Sequence, residues 1–170
     1  TKDSVVFSLS IIFILSHFGF LIFNFPFAKI FLGDSGAYFS GFYLSIIAIL
    51  LPERNPDISP WVSFLICSYP IFETVISMLR KTKRKGHHFS KPDKLHLHML
   101  VYRDLSRKYA KKYLNVRFRN PLTSIIMWTF PLICSICAVL FYEQKFIIIF
   151  LIFINLFLYL KLYIKLSLNR

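Results

Sequence analysis

Apolar residues run almost without interruption through five stretches of the chain, 4–23, 36–52, 59–79, 121–142 and 145–165, and polar residues gather between them. A helix needs about 20 apolar residues to cross a hydrocarbon core about 30 Å thick, and each stretch has or approaches that length. The pattern predicts an all-α, polytopic transmembrane helix bundle of five spans in a single domain, 1–170. Three of the connections are short, and the fourth, residues 80–120, is long and too polar to be a sixth span.

Composition supports this reading, since 170 residues that are 56% hydrophobic and 18% aromatic hold more apolar surface than a soluble domain of that length could bury. Charge then orients the bundle. Of 21 Lys and Arg, fourteen lie between Arg80 and Arg119, against only Asp93 and Asp104. The positive-inside rule makes that loop cytoplasmic. Counting spans then puts Lys29 and Asp34 on the same face, together with Lys161, Lys165 and Arg170, which were not used to set the orientation. The opposite loop, "PERNPDISP", carries Pro52, Pro56 and Pro60 and reads as a turn. The chain starts at Thr1 with no secretory leader pattern and is expected to be the later part of a longer protein. Cys67, Cys134 and Cys137 all fall in apolar runs, so Cys134-x-x-Cys137 suits helix packing better than redox chemistry.

Within the basic loop, "FSKPDKLHLHMLVYRDLSRKYAKKYL" has the marks of a helix start, with Ser90 as N-cap, Pro92 in the first turn and Asp93 completing a variant capping box. From Leu95 onward, Leu97, Leu100, Val101 and Tyr109 alternate with Arg103, Arg107, Lys108, Lys111 and Lys112, which predicts a cationic helix at the membrane interface.

Several residues can carry chemistry. Asp34, in Gly33-Asp34-Ser35-Gly36, is suited to hold a metal or a polar head group, but spacing alone favours a cap of the second span. His87, His88, His96 and His98 lie close together in the loop. On a regular helix His96 and His98 would point about 200° apart, which fits no standard zinc pattern. Among so many cations they suit phosphate or pyrophosphate contacts, or form a solvated, lipid-facing loop. The run from Arg80 to Lys85 anchors the third span at lipid head groups, and no nucleic-acid partner is expected. Glu73, a carboxylate inside a span, either pairs with a basic residue or borders a polar cavity. His17 reads as a packed helix residue.

"FNFPFAKIFLGDSGAYFSGF" (23–42) and "GHHFSKPDKLHLHML" (86–100) together resemble the polyprenyl-phosphate N-acetylhexosamine-1-phosphate transferases, the membrane enzymes of glycosyltransferase family 4. The resemblance covers the chain as the C-terminal half of such an enzyme. It implies transfer of N-acetylhexosamine-1-phosphate, by default N-acetylglucosamine-1-phosphate, from a UDP-N-acetylhexosamine to undecaprenyl phosphate. UMP would be released, and the product would serve cell-wall or lipopolysaccharide synthesis. By the same resemblance Asp34 is the catalytic Mg²⁺ ligand, with Mn²⁺ as a substitute. Phe31 faces the uracil and Asn24 lines the nucleotide pocket. His96 and His98 contact pyrophosphate or sugar, and Ser90, Asp93 and Lys94 shape the loop. Two polyanions must approach one another, which calls for a divalent cation and positive side chains. The implied location is the bacterial inner membrane with a cytoplasmic active face, and a homodimer is the assembly considered.

The family's His-x-His-His here ends in Met99, and Phe27 stands where a second proline is common. No Asp-Asp dipeptide occurs, so the chain by itself is expected to be inactive. Two competing readings are a truncated membrane fragment whose basic loop only binds anionic lipid, and a transporter-like bundle, for which no repeated broken spans speak.

Overall fold

A computed structural model describes residues 3–83, 95–109 and 116–168. All regular structure among them is helical. Helix α1 (Ser4–Asn24) and α2 (Gly33–Arg54) form an antiparallel hairpin. They are followed by α3 (Trp61–Ile66), α4 (Ser68–Lys83), α5 (Leu97–Val101), α6 (Arg119–Leu140) and α7 (Lys145–Leu168). Among the described residues, helices α1, α2, α6 and α7 are each long and apolar enough to cross a membrane, four where five spans were expected.

The difference lies in the stretch 59–79, which contains α3 and α4 rather than one continuous helix. Pro70 explains the interruption. It lacks the N–H that would bond to the Ile66 carbonyl, and its ring crowds that carbonyl. Helix α3 therefore ends at Ile66, and the ladder resumes with Ile71 N–H donating to Cys67 O at 3.3 Å. Polar side chains from three helices meet at the break. Asn155 Nδ2 donates to Ser68 Oγ at 2.6 Å and to Cys134 Sγ at 3.2 Å. Cys134 thus packs between helices, as its apolar setting predicted, and all three cysteines are free.

The core is built by α3 to α7, with Leu65, Leu97, Leu100, Val101, Ile148 and Tyr159 almost wholly enclosed. The expected interfacial helix is corrected here. Leu97, Leu100 and Val101 of α5 are plugged into the bundle at 0%, 1% and 0% exposure instead of lying on a lipid surface. Three closely spaced apolar side chains bury more surface against α6 and α7 than at a head-group boundary. Past α5, a π-type turn at Tyr102–Ser106 brings Arg103 to Asp104 and to the Leu166 carbonyl at 2.9 Å. Arg107, Lys108 and Tyr109 remain exposed.

The contacts also assign elements to ends. Asp3 pairs with Arg54, and Ser59 N–H donates to Tyr142 O, at one end. At the other, Phe25 packs on Trp128, Arg117 stacks over Phe27 at 4.3 Å, and Arg80 donates to Leu95 O and to Tyr163. The α1–α2 turn, the loop entering α5 and the C-terminal part of α7 with Lys161 and Lys165 therefore share an end, as the charge counting predicted.

Candidate active site

Asp34 lies in the first turn of α2. The residue at the cap position is Leu32 and no side chain caps the helix, so the capping alternative for Asp34 is not what the structure shows. Gly33 precedes it at φ +71°, a backbone conformation costly for any residue with a Cβ. This kink turns the chain into α2 and leaves Asp34 exposed, with no hydrogen bond or ion pair among the described residues. Phe31 is 88% exposed, its ring free for stacking. Asn24 closes α1 and is half-buried.

The second part of the site centres on Glu73 in α4. Its Oε1 lies 2.8 Å from His96 Nδ1 and accepts from Leu97 N–H at 2.9 Å, and its Oε2 accepts from the Tyr159 hydroxyl at 2.8 Å. Pairing with a basic residue was one of the two readings of this buried carboxylate, and it is the one found. Glu73 also does the work of a helix cap for α5, supplying from another helix the acceptor that the first-turn N–H groups need. Tyr159, on α7, had no signal in sequence beyond its place in a span. Its position two turns from the chain's basic end, opposite an intramembrane carboxylate, is the one clue available.

The two loop histidines do not diverge. His96 has φ −67° and ψ 147°, outside the helix that begins at Leu97, so the helical 200° offset does not apply. The His96 and His98 rings instead stack with centroids 5.6 Å apart and planes 10° apart. His98 remains exposed over part of its surface. Partial burial holds its imidazole below the ordinary histidine range, Glu73 acts in the opposite direction, and His96 reinforces the lowering. His17 is a packed helix residue, as expected, lying between Phe13 O and Ser40 Oγ at 2.9 Å each. Ser90, Asp93 and Lys94 lie outside the described residues, as do His87 and His88.

The structure therefore brings together Glu73, His96, His98 and Tyr159. It places Asn24, Phe31 and Asp34 at the same end of the bundle without a direct bond between the two groups. Asp34 is an exposed carboxylate with no hydrogen bond or ion pair among the described residues, and no cluster of three His, Cys, Asp or Glu occurs among them. That donor set fits Mg²⁺, which is commonly held by one or two carboxylates with substrate phosphates and water completing the shell. It does not fit a cation caged by protein alone. An apolar groove of about 410 Å³ runs along α7, lined by Leu65, Cys134, Asn155 and Leu158 and ending at Lys161 and Lys165.

Residues 1–52 match the family model described as glycosyl transferase family 4. The chain is 38% identical over 95 residues to the probable undecaprenyl-phosphate N-acetylglucosaminyl 1-phosphate transferase of Bacillus subtilis, covering 55% of this chain and 26% of that protein. It is 33% identical over 136 residues to the undecaprenyl-phosphate alpha-N-acetylglucosaminyl 1-phosphate transferase of Thermotoga maritima, covering 80% of this chain and 40% of that protein. It is 32% identical over 76 residues to the protein of the same name in Pasteurella multocida, covering 44% of this chain and 21% of that protein. The matched region thus spans less than half the length of each of these relatives. No solved structure matches the chain significantly. Through its N-terminal hairpin and most of its remaining length, the chain is related to glycosyl transferase family 4 and its undecaprenyl-phosphate N-acetylglucosaminyl 1-phosphate transferases.

Proposed function

We propose that this chain supplies one wall of the active site of a membrane sugar-1-phosphate transferase. The enzyme moves N-acetylhexosamine-1-phosphate, by default N-acetylglucosamine-1-phosphate, from a UDP-sugar to undecaprenyl phosphate on the cytoplasmic face of a bacterial inner membrane. A phosphate oxygen of the lipid attacks the β-phosphorus of the UDP-sugar, and the bond from that phosphorus to the bridging oxygen breaks. UMP leaves, and a lipid-linked pyrophosphoryl sugar remains. The observation that carries this reading is the presence, at the same basic end of the bundle, of an exposed Asp34 with no hydrogen bond or ion pair among the described residues and of a stacked histidine pair.

Asp34 would hold Mg²⁺ together with the substrate phosphates. When bound, the cation draws negative charge from the reacting oxygens. Phe31 offers its exposed ring to the uracil, and Asn24 borders the nucleotide. His96 and His98 donate to the pyrophosphate, and Ser90, Asp93 and Lys94 are the further residues this reading assigns to the substrate. The groove ending at Lys161 and Lys165 suits a lipid with an apolar tail and an anionic head. Transfer of this kind feeds the synthesis of cell-wall or lipopolysaccharide polymers.

The test is UMP release from UDP-N-acetylglucosamine and undecaprenyl phosphate by the complete gene product, with and without Mg²⁺. Asp34→Asn is expected to lower turnover at least about 100-fold, within the range for loss of a group that stabilises transition-state charge. Wild-type turnover in Asp34→Asn would remove Asp34 from the metal site, and absence of UMP release by the wild type would overturn the function.

A further inference from the structure

We propose that Glu73 is a positioning residue that fixes the proton of His96 on Nδ1 and so presents Nε2 as the ring atom that meets a phosphate. The role of His96 at phosphate rests on the function proposed above. The orientation of the ring does not.

Two donors, Leu97 N–H and the Tyr159 hydroxyl, and one ring nitrogen, His96 Nδ1, converge on Glu73. Leu97 N–H and the Tyr159 hydroxyl occupy one position on each oxygen, at 2.9 and 2.8 Å, and His96 Nδ1 stands 2.8 Å from Oε1. A carboxylate accepts at all of these positions and donates at none. A carboxylate has no proton to give, so the hydrogen between Oε1 and Nδ1 comes from the ring, and the hydrogen bond at that nitrogen decides the role of the other.

The surroundings make the arrangement rigid. Tyr159 is 1% exposed, and His96 sits at the boundary of α5, whose next residue, Leu97, is 0% exposed. Neither the donor from α7 nor the donor from α5 can turn away without opening the core. The ring is held by its neighbours as well, since His98 stacks on its face. Among described residues Nε2 makes no hydrogen bond, and the His96 side chain keeps 29% of its surface exposed. A site needs such a held group, because a phosphate donor left free to rotate loses ordering entropy at every binding event. The chain thus places a buried carboxylate behind a half-buried histidine, an arrangement that a mere cap of α5 would not require: Leu97 N–H needs one acceptor, and Glu73 binds the ring besides.

The experiment is nitrogen-15 NMR of the full chain, labelled at histidine and held in lipid nanodiscs, with the His96 signals assigned by their loss in His96→Asn. Neutral His96 in the wild type is expected as the Nδ1–H tautomer, against the Nε2–H form that histidine prefers in water. Glu73→Gln, whose side-chain oxygen still accepts, should keep the Nδ1–H form, and Glu73→Leu should release the ring to Nε2–H. A wild-type spectrum showing Nε2–H overturns the proposal, and so does an unchanged tautomer in Glu73→Leu. The wild-type measurement needs no substitution, so it decides even if the Leu variant does not fold.

Turnover of the complete gene product is the second readout. It should fall about 10- to 100-fold in Glu73→Leu, the scale seen when an orienting partner of a histidine is removed, and recover most of that loss in Glu73→Gln. Spectra as expected with turnover unchanged would uphold the positioning of His96 and count against its contact with substrate.

Discussion

The α1–α2 hairpin and the bundle from α3 to α7 are held by different physics. The hairpin has one buried residue, Val6, and none at all in α2. Its two helices are tied by the His17–Ser40 contact, by Tyr43 donating to Leu9 O and by the exposed Asp3–Arg54 pair. The bundle instead encloses Leu97, Val101 and Ile148 completely and buries a polar cluster at Asn155 as well as the Glu73 network. In lipid an exposed apolar helix face is not a defect, so the hairpin can be specified by hydropathy and a few polar ties. The loop entering α5 is specified by packing. The two halves of the site inherit this contrast: Asp34 and Phe31 can be altered without loosening the fold, whereas His96 cannot be separated from the core beneath it.

The largest expected effect breaks the comparison at its strongest point. Val101→Asp places an unpaired carboxylate at a position with no exposed surface and should cost about 3–5 kcal/mol, enough to prevent folding of the α5 end. Phe31→Asp, at 88% exposure in the hairpin, should leave the melting temperature in detergent unchanged. Equal losses in the two variants would mean that the hairpin turn is packed as the bundle is.

The same contrast explains what the sequence revealed. Four long apolar helices could be located within three residues at each end, because hydrocarbon thickness alone sets their length. Placing the α1–α2 turn and the C-terminal part of α7 at the end of the α5 loop needed only charge counting, and the contacts of Arg117 and Arg80 bear it out. The break after Ile66 was visible as Pro70, but mean hydropathy does not register a missing N–H. The burial of α5 was not legible, since its alternation of apolar and cationic residues fits an interface and a plug equally well. For the site, Asp34 was recognisable from its own neighbours, as a residue whose setting is local. Glu73 was recognised as costly but its partners, 23 and 86 residues away, depend on tertiary packing. The stacking of His96 on His98 depended on a single non-helical backbone position.

A smaller effect sharpens the bundle side. Asn155→Leu removes the donor to Ser68 and Cys134 from a position 8% exposed. Hydrogen bonds between membrane helices average about 0.6 kcal/mol and reach about 1.7, and two bonds to one amide near the break in the helix should place this loss at about 1 kcal/mol. Ser68→Ala alone should cost less, and the double variant should cost less than the sum of the two, because both remove the Asn155–Ser68 bond while Ser68 also lies 3.8 Å from Cys134 Sγ. Additive losses in unfolding would show that the Asn155–Ser68 bond contributes nothing and that Ser68 acts through Cys134.

The smallest effect sharpens the hairpin side. Ser40 donates to Gly36 O at 2.7 Å, within its own helix, and its oxygen lies 2.9 Å from His17 Nε2 on the neighbouring one. The first bond is local and survives nothing of the substitution Ser40→Ala, but the helix ladder already satisfies Gly36 O, so its loss is nearly neutral. Only the second bond joins the helices, and its removal should cost about 0.6 kcal/mol, the membrane average. A change that small is invisible in global unfolding if the bundle melts as a unit, but it should appear as faster hydrogen exchange along α2 with exchange in α5 and α7 unaltered. Faster exchange in all helices alike would mean that hairpin and bundle open together, and that the different specification of the two regions does not extend to their dynamics.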